Sequence, residues 1–243
     1  MDAVIVEDLH KYFGKIKAVD GISFRVRERE IFGLIGPNGA GKTTTLRILA
    51  TLLKPTSGKV IIFDHDVVKE PMEVRRIISY LPEEAGAYEQ LTGYEYLRFM
   101  AGFVAKSSEE VDKMVELGAK ISGLGERLKD KIKTYSKGMK RRLALARALM
   151  FIPKLAILDE PTSGLDVIHA YHIREMLKDF VKKYGVTIVL SSHNMLEIEY
   201  LCDRVVIMHK GKIIAEGEPR KLCEEHNAEN LEEVFVKEVM VHA

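Results

Sequence analysis

The sequence is poor in cysteine, in long apolar runs and in net charge, and each shortage excludes a class of protein. Its two cysteines, Cys202 and Cys223, are too few for a disulfide framework, which favours a reducing compartment. No uncharged run approaches the roughly 20 residues that cross a bilayer. Asp2, Glu7 and Asp8 stand where a secretory leader would carry an apolar core. We therefore expect neither a secreted nor a membrane-spanning chain.

The charges of the chain nearly cancel. It carries 37 Lys and Arg against 36 Asp and Glu, a formal net charge of +1. Such a chain has no global basic field, so no nucleic-acid partner is expected. Its 243 residues are 47% hydrophobic and 30% charged, which is enough to build and solvate the core of a single α/β-sized domain.

Apolar runs of strand length alternate with stretches of helical spacing. Predicted strands cover residues 4–9, 22–26, 30–35, 59–63, 155–158, 186–190, 205–208 and 212–215. Predicted helices cover residues 43–53, 137–150 and 167–183, with one more after residue 107 and a short one around residues 231–235. Between residues 94 and 150 the pattern is almost wholly helical. This arrangement predicts a parallel-sheet core with an inserted helical lobe.

Three local signals refine these elements. Residues 19–21, Val-Asp-Gly, predict a turn between the first two strands. Ser107 and Glu110 have the spacing of a capping box at the start of a helix. Ser136 is placed as the N-cap of the helix that follows it.

A glycine-rich loop joins a predicted strand to a predicted helix. Residues 36–43 read Gly-Pro-Asn-Gly-Ala-Gly-Lys-Thr and match G-x-x-x-x-G-K-[ST]. Glycines let backbone N–H groups turn towards a polyphosphate, and the helix N-terminus adds a positive dipole end. Lys42 is expected to reach the β- and γ-phosphates of a bound nucleotide, and the Thr43 hydroxyl to bind Mg²⁺. The predicted nucleotide-binding residues of this loop are Gly36, Pro37, Asn38, Gly39, Ala40, Gly41, Lys42, Thr43 and Thr44.

Polar residues follow two further apolar strands. Asp159 and Glu160 end the run 155–158, and residues 191–193, Ser-Ser-His, end the run 186–190. Alone, an acidic pair in this position is more often a solvated strand end. Beside a phosphate loop, Asp159 is predicted to bind Mg²⁺ and Glu160 to act as the general base on the attacking water. His193 is predicted to contact the γ-phosphate.

In their order and context these motifs resemble the ATP-binding subunit of an ATP-binding-cassette (ABC) transporter, over roughly residues 3–219. Residues 36–43 resemble the family's Walker A loop, 155–160 its Walker B strand and catalytic glutamate, and 163–166 its D-loop. His193 resembles the switch histidine. Phe13 matches the aromatic residue that stacks on adenine, in preference to Tyr12. The resemblance implies ATPase chemistry carried by Glu160, His193 and Lys42.

The resemblance also implies a fold and a division of the chain. It implies an α/β P-loop NTPase (RecA-like) core with a parallel sheet, an N-terminal antiparallel β subdomain and an inserted α-helical subdomain. Residues 1–84 and 154–219 would form the nucleotide-binding core with its antiparallel β subdomain. Residues 85–153 would form the helical subdomain, and residues 220–243 a short C-terminal tail.

Two positions depart from the usual family pattern. The signature Leu-Ser-Gly-Gly-Gln is replaced by Tyr-Ser-Lys-Gly-Met at residues 135–139, which keeps Ser136 and Gly138 as the groups that approach the γ-phosphate of an opposing subunit. Glu83 stands where the family has a glutamine, and its carboxylate could serve the metal. Both departures resemble the exporter-type (ABC-2-like) branch.

The partners follow from the same resemblance. Two ATP-binding subunits, identical or related, would each hold ATP on one phosphate loop and cap the other's ATP from Ser136. The protein would sit on the cytoplasmic face of the cell membrane and move a substrate through a separate membrane-spanning permease. Residues 84–100 would dock onto that permease, although the aromatic residues of this segment, Tyr88, Tyr94, Tyr96 and Phe99, are predicted to belong mainly to the core.

One alternative is a soluble ABC-type ATPase that remodels protein or nucleic-acid assemblies. Chromosome-maintenance relatives carry a long coiled coil between phosphate loop and signature, and the interval from Thr43 to Ser136 is too short for one. Translation-factor relatives carry two cassettes, whereas a cluster-assembly ATPase would have a similar length. A phosphate-loop kinase would leave Ser136, Asp166 and His193 unexplained.

Overall fold

Two β-sheets and a group of helices make up the computed structural model, which describes residues 1–241. The strands are β1 (Asp2–Phe13), β2 (Ile16–Arg27), β3 (Ile31–Ile35), β4 (Ser57–Ile62), β5 (His65–Asp66), β6 (Ile78–Leu81), β7 (Leu155–Asp159), β8 (Thr187–Ser192), β9 (Arg204–His209) and β10 (Lys212–Gly217). The helices are α1 (Lys42–Leu49), α2 (Pro71–Ile77), α3 (Gly93–Ala101), α4 (Ser108–Ser122), α5 (Lys137–Leu149), α6 (Val167–Tyr184), α7 (Met195–Leu201), α8 (Pro219–Glu225) and α9 (Leu231–Val241).

The larger sheet has six strands in the order β10-β9-β3-β8-β7-β6, and only β10 runs antiparallel to its neighbour. Every residue of β3, β7 and β8 is buried, as the continuous apolar runs predict. The carboxyl ends of these parallel strands lie at one edge of the sheet. This topology brings the loops after β3, β6, β7 and β8 together, and it confirms the predicted α/β fold.

The smaller sheet is antiparallel, with the order β2-β1-β4-β5. The hairpin between β1 and β2 turns at residues 14–15, so the predicted turn at residues 19–21 is wrong. Those residues lie within β2, where the register shifts between the pairs Leu9↔Ile22 and His10↔Asp20. Gly21 has φ +79° at that shift. The glycine therefore marks a β-bulge, which uses the same backbone freedom as a turn.

Helices α3, α4 and α5 form the predicted helical insertion between β6 and β7. Ser107 caps α4 by accepting a hydrogen bond from the Glu110 N–H at 3.2 Å. The Glu110 carboxylate accepts from the Lys106 N–H instead of from Ser107, so the predicted capping box is only half right. A complete box forms at α3, where Thr92 and Glu95 exchange both hydrogen bonds.

Three of the four aromatic residues predicted for the core lie at the surface. Tyr96 is 2% exposed, whereas Tyr88, Tyr94 and Phe99 are 58%, 40% and 45% exposed. Tyr88 and Phe99 pack edge to face with ring centroids 5.3 Å apart. Phe103 extends this surface at 4.9 Å from Phe99. The spacing of apolar residues along the sequence does not show whether the face they form packs against the core or is exposed to solvent.

The helix predicted for residues 43–53 ends early, at Leu49, because Thr51 adopts φ +58°. The short helix predicted near residue 231 is confirmed as α9, with Leu231 and Val234 buried, and α8 precedes it without having been predicted. Among residues 1–241, no helix combines the length and the apolar character that crossing a membrane requires.

Candidate active site

The phosphate-loop sequence lies between β3 and α1, as predicted. At two positions of this loop only glycine fits, because a neighbouring carbonyl oxygen occupies the space that a side chain would need. A Cβ on Gly36, which has φ +146°, would lie 2.2 Å from the Met208 carbonyl oxygen, and one on Gly41, with φ +106°, would lie 2.5 Å from that of Ala18. No side chain caps the start of α1, so its first N–H groups are available to an anion.

Lys42 is the buried cation of this loop, with 6% of its surface exposed. Its Nζ donates to the carbonyl oxygens of Gly36 at 2.6 Å and Pro37 at 3.1 Å. Burial lowers the pKa of Lys42, and the charges of Glu160, Asp159 and Glu83 oppose that shift. The ammonium therefore stands between loop carbonyls and three carboxylates.

A cavity of about 370 Å³ opens over the loop. It is lined by Ile16, Lys17, Ala18, Asn38, Gly39, Ala40, Gly41, Lys42, Thr43, Thr44, Glu83, Glu160 and Lys210. Most of the predicted loop residues are thus brought to one space, together with both Glu83 and Glu160. The sequence analysis missed residues 16–18 and Lys210, which carry no motif and reach the cavity only through the antiparallel sheet and the β9–β10 hairpin.

Asp159 ends β7 and is 1% exposed. Its Oδ1 accepts hydrogen bonds from Thr43 Oγ1 at 3.2 Å and Ser191 Oγ at 2.5 Å. Its Oδ2 is buried and has no hydrogen-bond partner within residues 1–241. Burial, with a smaller contribution from the charge of Asp159, raises the pKa of the nearby Tyr80.

The oxygen atoms around Asp159 fit Mg²⁺. A hydroxyl and a carboxylate with an unused oxygen are ligands of the kind this hard cation takes. Over the described part of the chain, no group of three or more His, Cys, Asp or Glu could hold a metal alone. Thr43 and Asp159 would therefore bind the ion jointly with phosphate oxygens and water, as Mg²⁺ commonly binds in nucleotide sites.

Glu160 follows Asp159 in a strained backbone conformation, with φ +51°. Such a conformation costs about 1–3 kcal/mol for a residue other than glycine. The Glu160 N–H donates to both the hydroxyl and the carbonyl oxygen of Ser191, at 3.1 and 3.2 Å. Its Oε1 lies 2.9 Å from Nδ1 of His193, whose side chain is 58% exposed. The structure thus places Glu160 and His193 in contact, whereas the sequence analysis assigned each of them to the site on its own motif.

The signature residues do not join this cavity. Ser136 caps α5 by accepting from the Met139 N–H at 3.2 Å. Ser136 and Gly138 line a separate cavity of about 340 Å³, with Gly164 and Asp166 of the D-loop-like segment. The stem of Lys137 covers Gly164, where an added Cβ would lie 3.0 Å from Lys137 Cε.

Phe13 ends β1 with 47% of its surface exposed, and Lys11 Nζ lies 4.8 Å from its ring centroid. It does not line the phosphate-loop cavity, but the hairpin turn connects it to residues 16–18, which do. The Tyr12 hydroxyl instead donates to Asp20 Oδ1 at 2.7 Å, and this bond raises the pKa of Tyr12. Of the two aromatic residues, Phe13 has the freer ring.

A parallel sheet with a phosphate loop after one strand and an Asp-Glu pair after another, at the same edge, defines a phosphate-loop nucleotide-binding protein. Within that class, the family model described as ABC transporter matches residues 19–163, and the chain belongs to this family. It therefore carries the ATP-binding ATPase cassette of ABC transporters.

Known proteins agree with this assignment. The chain is 43% identical over 197 residues to an uncharacterised ABC transporter ATP-binding protein of Bacillus subtilis, covering 81% of this chain and 63% of that protein. It is 40% identical over 217 residues to the linearmycin resistance ATP-binding protein of the same organism, covering 89% and 70%. The chain thus spans about two thirds of the length of these relatives.

A solved structure adds the geometry of a complete cassette. The dimeric post-hydrolysis state of an ATP-binding cassette bound to ADP and Pi superimposes with a TM-score of 0.81. The sequences are 28% identical, and the match covers 88% of this chain and 98% of that one.

Proposed function

We propose that this protein is the ATP-hydrolysing motor subunit of an exporter-type ABC transporter, working as a dimer with Mg²⁺-ATP and a separate membrane-spanning permease. One observation carries the proposal. Lys42 and Thr43 line one cavity, and Ser136 and Gly138 line another. A single subunit therefore holds the two halves of an ATP site apart, and a second subunit is needed to bring them together.

A two-fold dimer satisfies both halves at once. In such an interface each subunit presents the same surface, so the α5 N-terminus of one subunit faces the phosphate loop of the other. The N–H groups at a helix N-terminus stabilise an anion, here the γ-phosphate of the partner's ATP. Hydrolysis removes that anion from the interface, and the subunits separate. The dimeric cassette bound to ADP and Pi supports this arrangement by similarity.

Each residue of the phosphate-loop cavity has a role in the proposed reaction. Residues 36–44 cradle the phosphates through their N–H groups, and Lys42 transfers its hydrogen bonds from loop carbonyls to phosphate oxygens. Thr43 and Asp159 would hold Mg²⁺, and Glu83, which lines the same cavity as Thr43, would serve the ion directly or through water. When bound, the ion would supply neutralisation of the phosphate charge.

The attacking water is handled by Glu160. Its carboxylate accepts the water proton as general base, and His193, 2.9 Å away, orients that carboxylate and contacts the γ-phosphate. The backbone hydrogen bonds to Ser191 keep Glu160 in its strained conformation.

The proposed division of the chain assigns the coupling surface. Residues 1–84 and 154–219 form the nucleotide-binding core, residues 85–153 the helical subdomain and residues 220–243 the tail. The exposed aromatic group Tyr88, Phe99 and Phe103 offers an apolar surface to a permease at the cytoplasmic face of the membrane. Export is inferred from Glu83, from the variant signature and from the resistance relative.

The dimer model predicts that Ser136→Arg abolishes ATP-dependent dimerisation and leaves ATP binding at the phosphate loop unchanged. A bulky cation at the start of α5 blocks the approach of a partner, whereas the cavity over Lys42 is untouched. Size-exclusion chromatography with light scattering, with and without a non-hydrolysable ATP analogue, measures the association. The wild type is expected to be monomeric or weakly associated without nucleotide.

Ser107→Arg is the matched control. Ser107 caps α4 with the same 3.2 Å hydrogen bond to the third N–H of its helix, so this variant loses the same cap and gains the same charge elsewhere. It should dimerise like the wild type. Normal dimerisation of Ser136→Arg would rule out capping of the partner's ATP by this residue.

Phe13→Ala is expected to weaken ATP binding by a smaller factor. Stacking of a base on an aromatic ring contributes about 1–3 kcal/mol, or roughly 5- to 150-fold in affinity. Titration with a fluorescent ATP analogue measures the change. Phe103→Ala removes an equally large exposed ring that does not line the cavity and should bind normally. Equal affinity of the Phe13 variant and the wild type would place the base elsewhere.

A further inference from the structure

Arg141 lies in the second turn of α5, the helix that begins at Ser136, and only 6% of its surface is exposed. A guanidinium group has five N–H donors, and all five are used by backbone carbonyl oxygens. Nη1 donates to Pro82 at 2.7 Å and Glu83 at 2.9 Å, Nη2 to Asp159 and, at 2.6 Å, to Glu160, and Nε to Pro161 at 3.2 Å.

These acceptors lie in two loops and in the last residue of β7, all at the same sheet edge. Residues 82–83 follow β6, residues 160–161 follow β7, and the two strands are parallel neighbours. One loop carries Glu83 and the other carries Glu160, both of which line the phosphate-loop cavity. Arg141 therefore connects the helix proposed to cap the partner's ATP with two acidic residues of its own subunit's site.

The hydrogen bonds of Arg141 affect the backbone conformation of Glu160 as well as the packing of the two loops. Glu160 is held at φ +51°, a conformation that persists only where its surroundings impose it. Ser191 fixes the N–H side of the residue, and Arg141 fixes its carbonyl side. The same carbonyl oxygen also accepts a hydrogen bond from the Ser163 N–H at 3.0 Å, so Arg141 adds a side-chain donor from α5 to the bond that the loop makes within itself.

The charge of Arg141 is maintained despite its burial. Burial lowers the pKa of Arg141 to about 10, and the carboxylates of Asp159, Glu83 and Glu160 oppose the shift. The residue is thus a cation at neutral pH. Lysine would keep the charge but has three donors on a single atom and no planar fork, so it cannot reach five carbonyl groups in two loops.

We propose that Arg141 is a positioning residue for ATP hydrolysis, which fixes the Glu160 and Glu83 loops to α5 so that capture of the partner's γ-phosphate aligns the general base. The inference rests on the proposed function. It predicts that Arg141→Lys lowers kcat by roughly 10- to 100-fold, the effect of a misplacement of about 1 Å. The affinity for ATP should change less than twofold, because the hydrogen bonds of Arg141 go to residues 82–83 and 159–161 and not to the phosphate loop.

The decisive test combines two variants. If Arg141 acts through Glu160, Arg141→Lys should lower the hydrolysis rate in the wild type but have less than a twofold effect on the residual single-turnover rate of Glu160→Gln. A merely structural arginine would lower the rate by the same factor in both backgrounds. Equal losses, or an unchanged kcat in Arg141→Lys, would overturn the proposal.

Further measurements distinguish a failure of the Arg141 proposal from misfolding of the variant and from failure of the proposed function. Arg147→Lys makes the same substitution on the same helix, where Arg147 donates to the carbonyl oxygen of Tyr80 in β6 at 3.3 Å instead of to either loop, and it should retain kcat. If thermal unfolding shows that Arg141→Lys is not folded, Arg141→Gln is measured by the same criteria. A wild type that neither hydrolyses ATP nor dimerises would overturn both proposals, whereas an active wild type matched by its Arg141 variants would overturn this one alone.

Discussion

Glu160→Gln is expected to lower ATP turnover by about 10²–10⁴-fold while ATP binding persists, because the amide keeps the shape of the side chain but cannot accept the water proton. The substitution also removes a negative charge near the γ-phosphate, which favours the closed dimer. The variant should therefore accumulate as an ATP-bound dimer. Phosphate release measures turnover, and size-exclusion chromatography with light scattering in Mg²⁺-ATP measures the dimer.

Two neighbouring substitutions test the specificity of this result. Asp159→Asn should lose Mg²⁺-dependent hydrolysis without trapping the dimer, because the proposed role of Asp159, which bonds Thr43 and has an unused buried oxygen, is to bind the metal and not the water. Glu84→Gln neutralises an exposed acid that does not line the phosphate-loop cavity, and it should behave like the wild type. Near-normal turnover in Glu160→Gln would remove the base assignment. Loss of turnover without a dimer would keep the base and contradict the proposed motor.

The phosphate loop and the acids after β7 are predictable because each is a local motif. Residues 36–43 contain their own glycines, cation and hydroxyl, and the strand before them is an uninterrupted apolar run. The parallel topology then follows from alternating strands and helices, and it brings Asp159 within 3.2 Å of Thr43 across a long sequence separation. The local motifs, together with the rule for connecting parallel strands, are therefore sufficient to predict that Thr43 and Asp159 lie in one site.

Arg141 shows what a local pattern does not contain. In the sequence it stands between Lys140 and Arg142, in a basic run that is typical of a solvated helix face. Lys140 does reach the surface and pairs with Glu89 at 2.5 Å, whereas Arg141 points into the junction of two loops. Its five hydrogen bonds depend on carbonyl groups contributed by two distant parts of the chain, residues 82–83 and 159–161. No spacing rule within α5 could indicate them.

Gly21 illustrates the opposite limit, in which a local signal has two meanings. An Asp-Gly pair satisfies a turn and a β-bulge equally, since both need a residue at positive φ. Only the pairing of β2 with β1, in which Leu9 faces Ile22 and His10 faces Asp20, distinguishes them. The register depends on how two strands pair, so the sequence of one strand alone does not determine it.

Lys42→Ala is expected to weaken ATP binding by roughly 10²-fold or more. Hydrogen bonds to charged groups contribute about 1.5–3 kcal/mol each, and the ammonium is proposed to donate to both the β- and the γ-phosphate. Its loss also leaves Asp159, Glu160 and Glu83 facing the phosphates without the cation that now stands among them. Equilibrium titration with a fluorescent ATP analogue measures the change.

Charge, not the volume of the removed side chain, should account for this loss. Lys42→Met fills most of the space and should bind as weakly as Lys42→Ala, whereas Lys54→Ala removes an exposed cation outside the cavity and should bind normally. Combining Lys42→Ala with Glu160→Gln removes one of the uncompensated carboxylates, so part of the affinity should return. Unchanged affinity in the Lys42 variants would remove the phosphate-loop assignment. A double variant that binds no better than Lys42→Ala would show that the nearby carboxylates do not oppose the nucleotide.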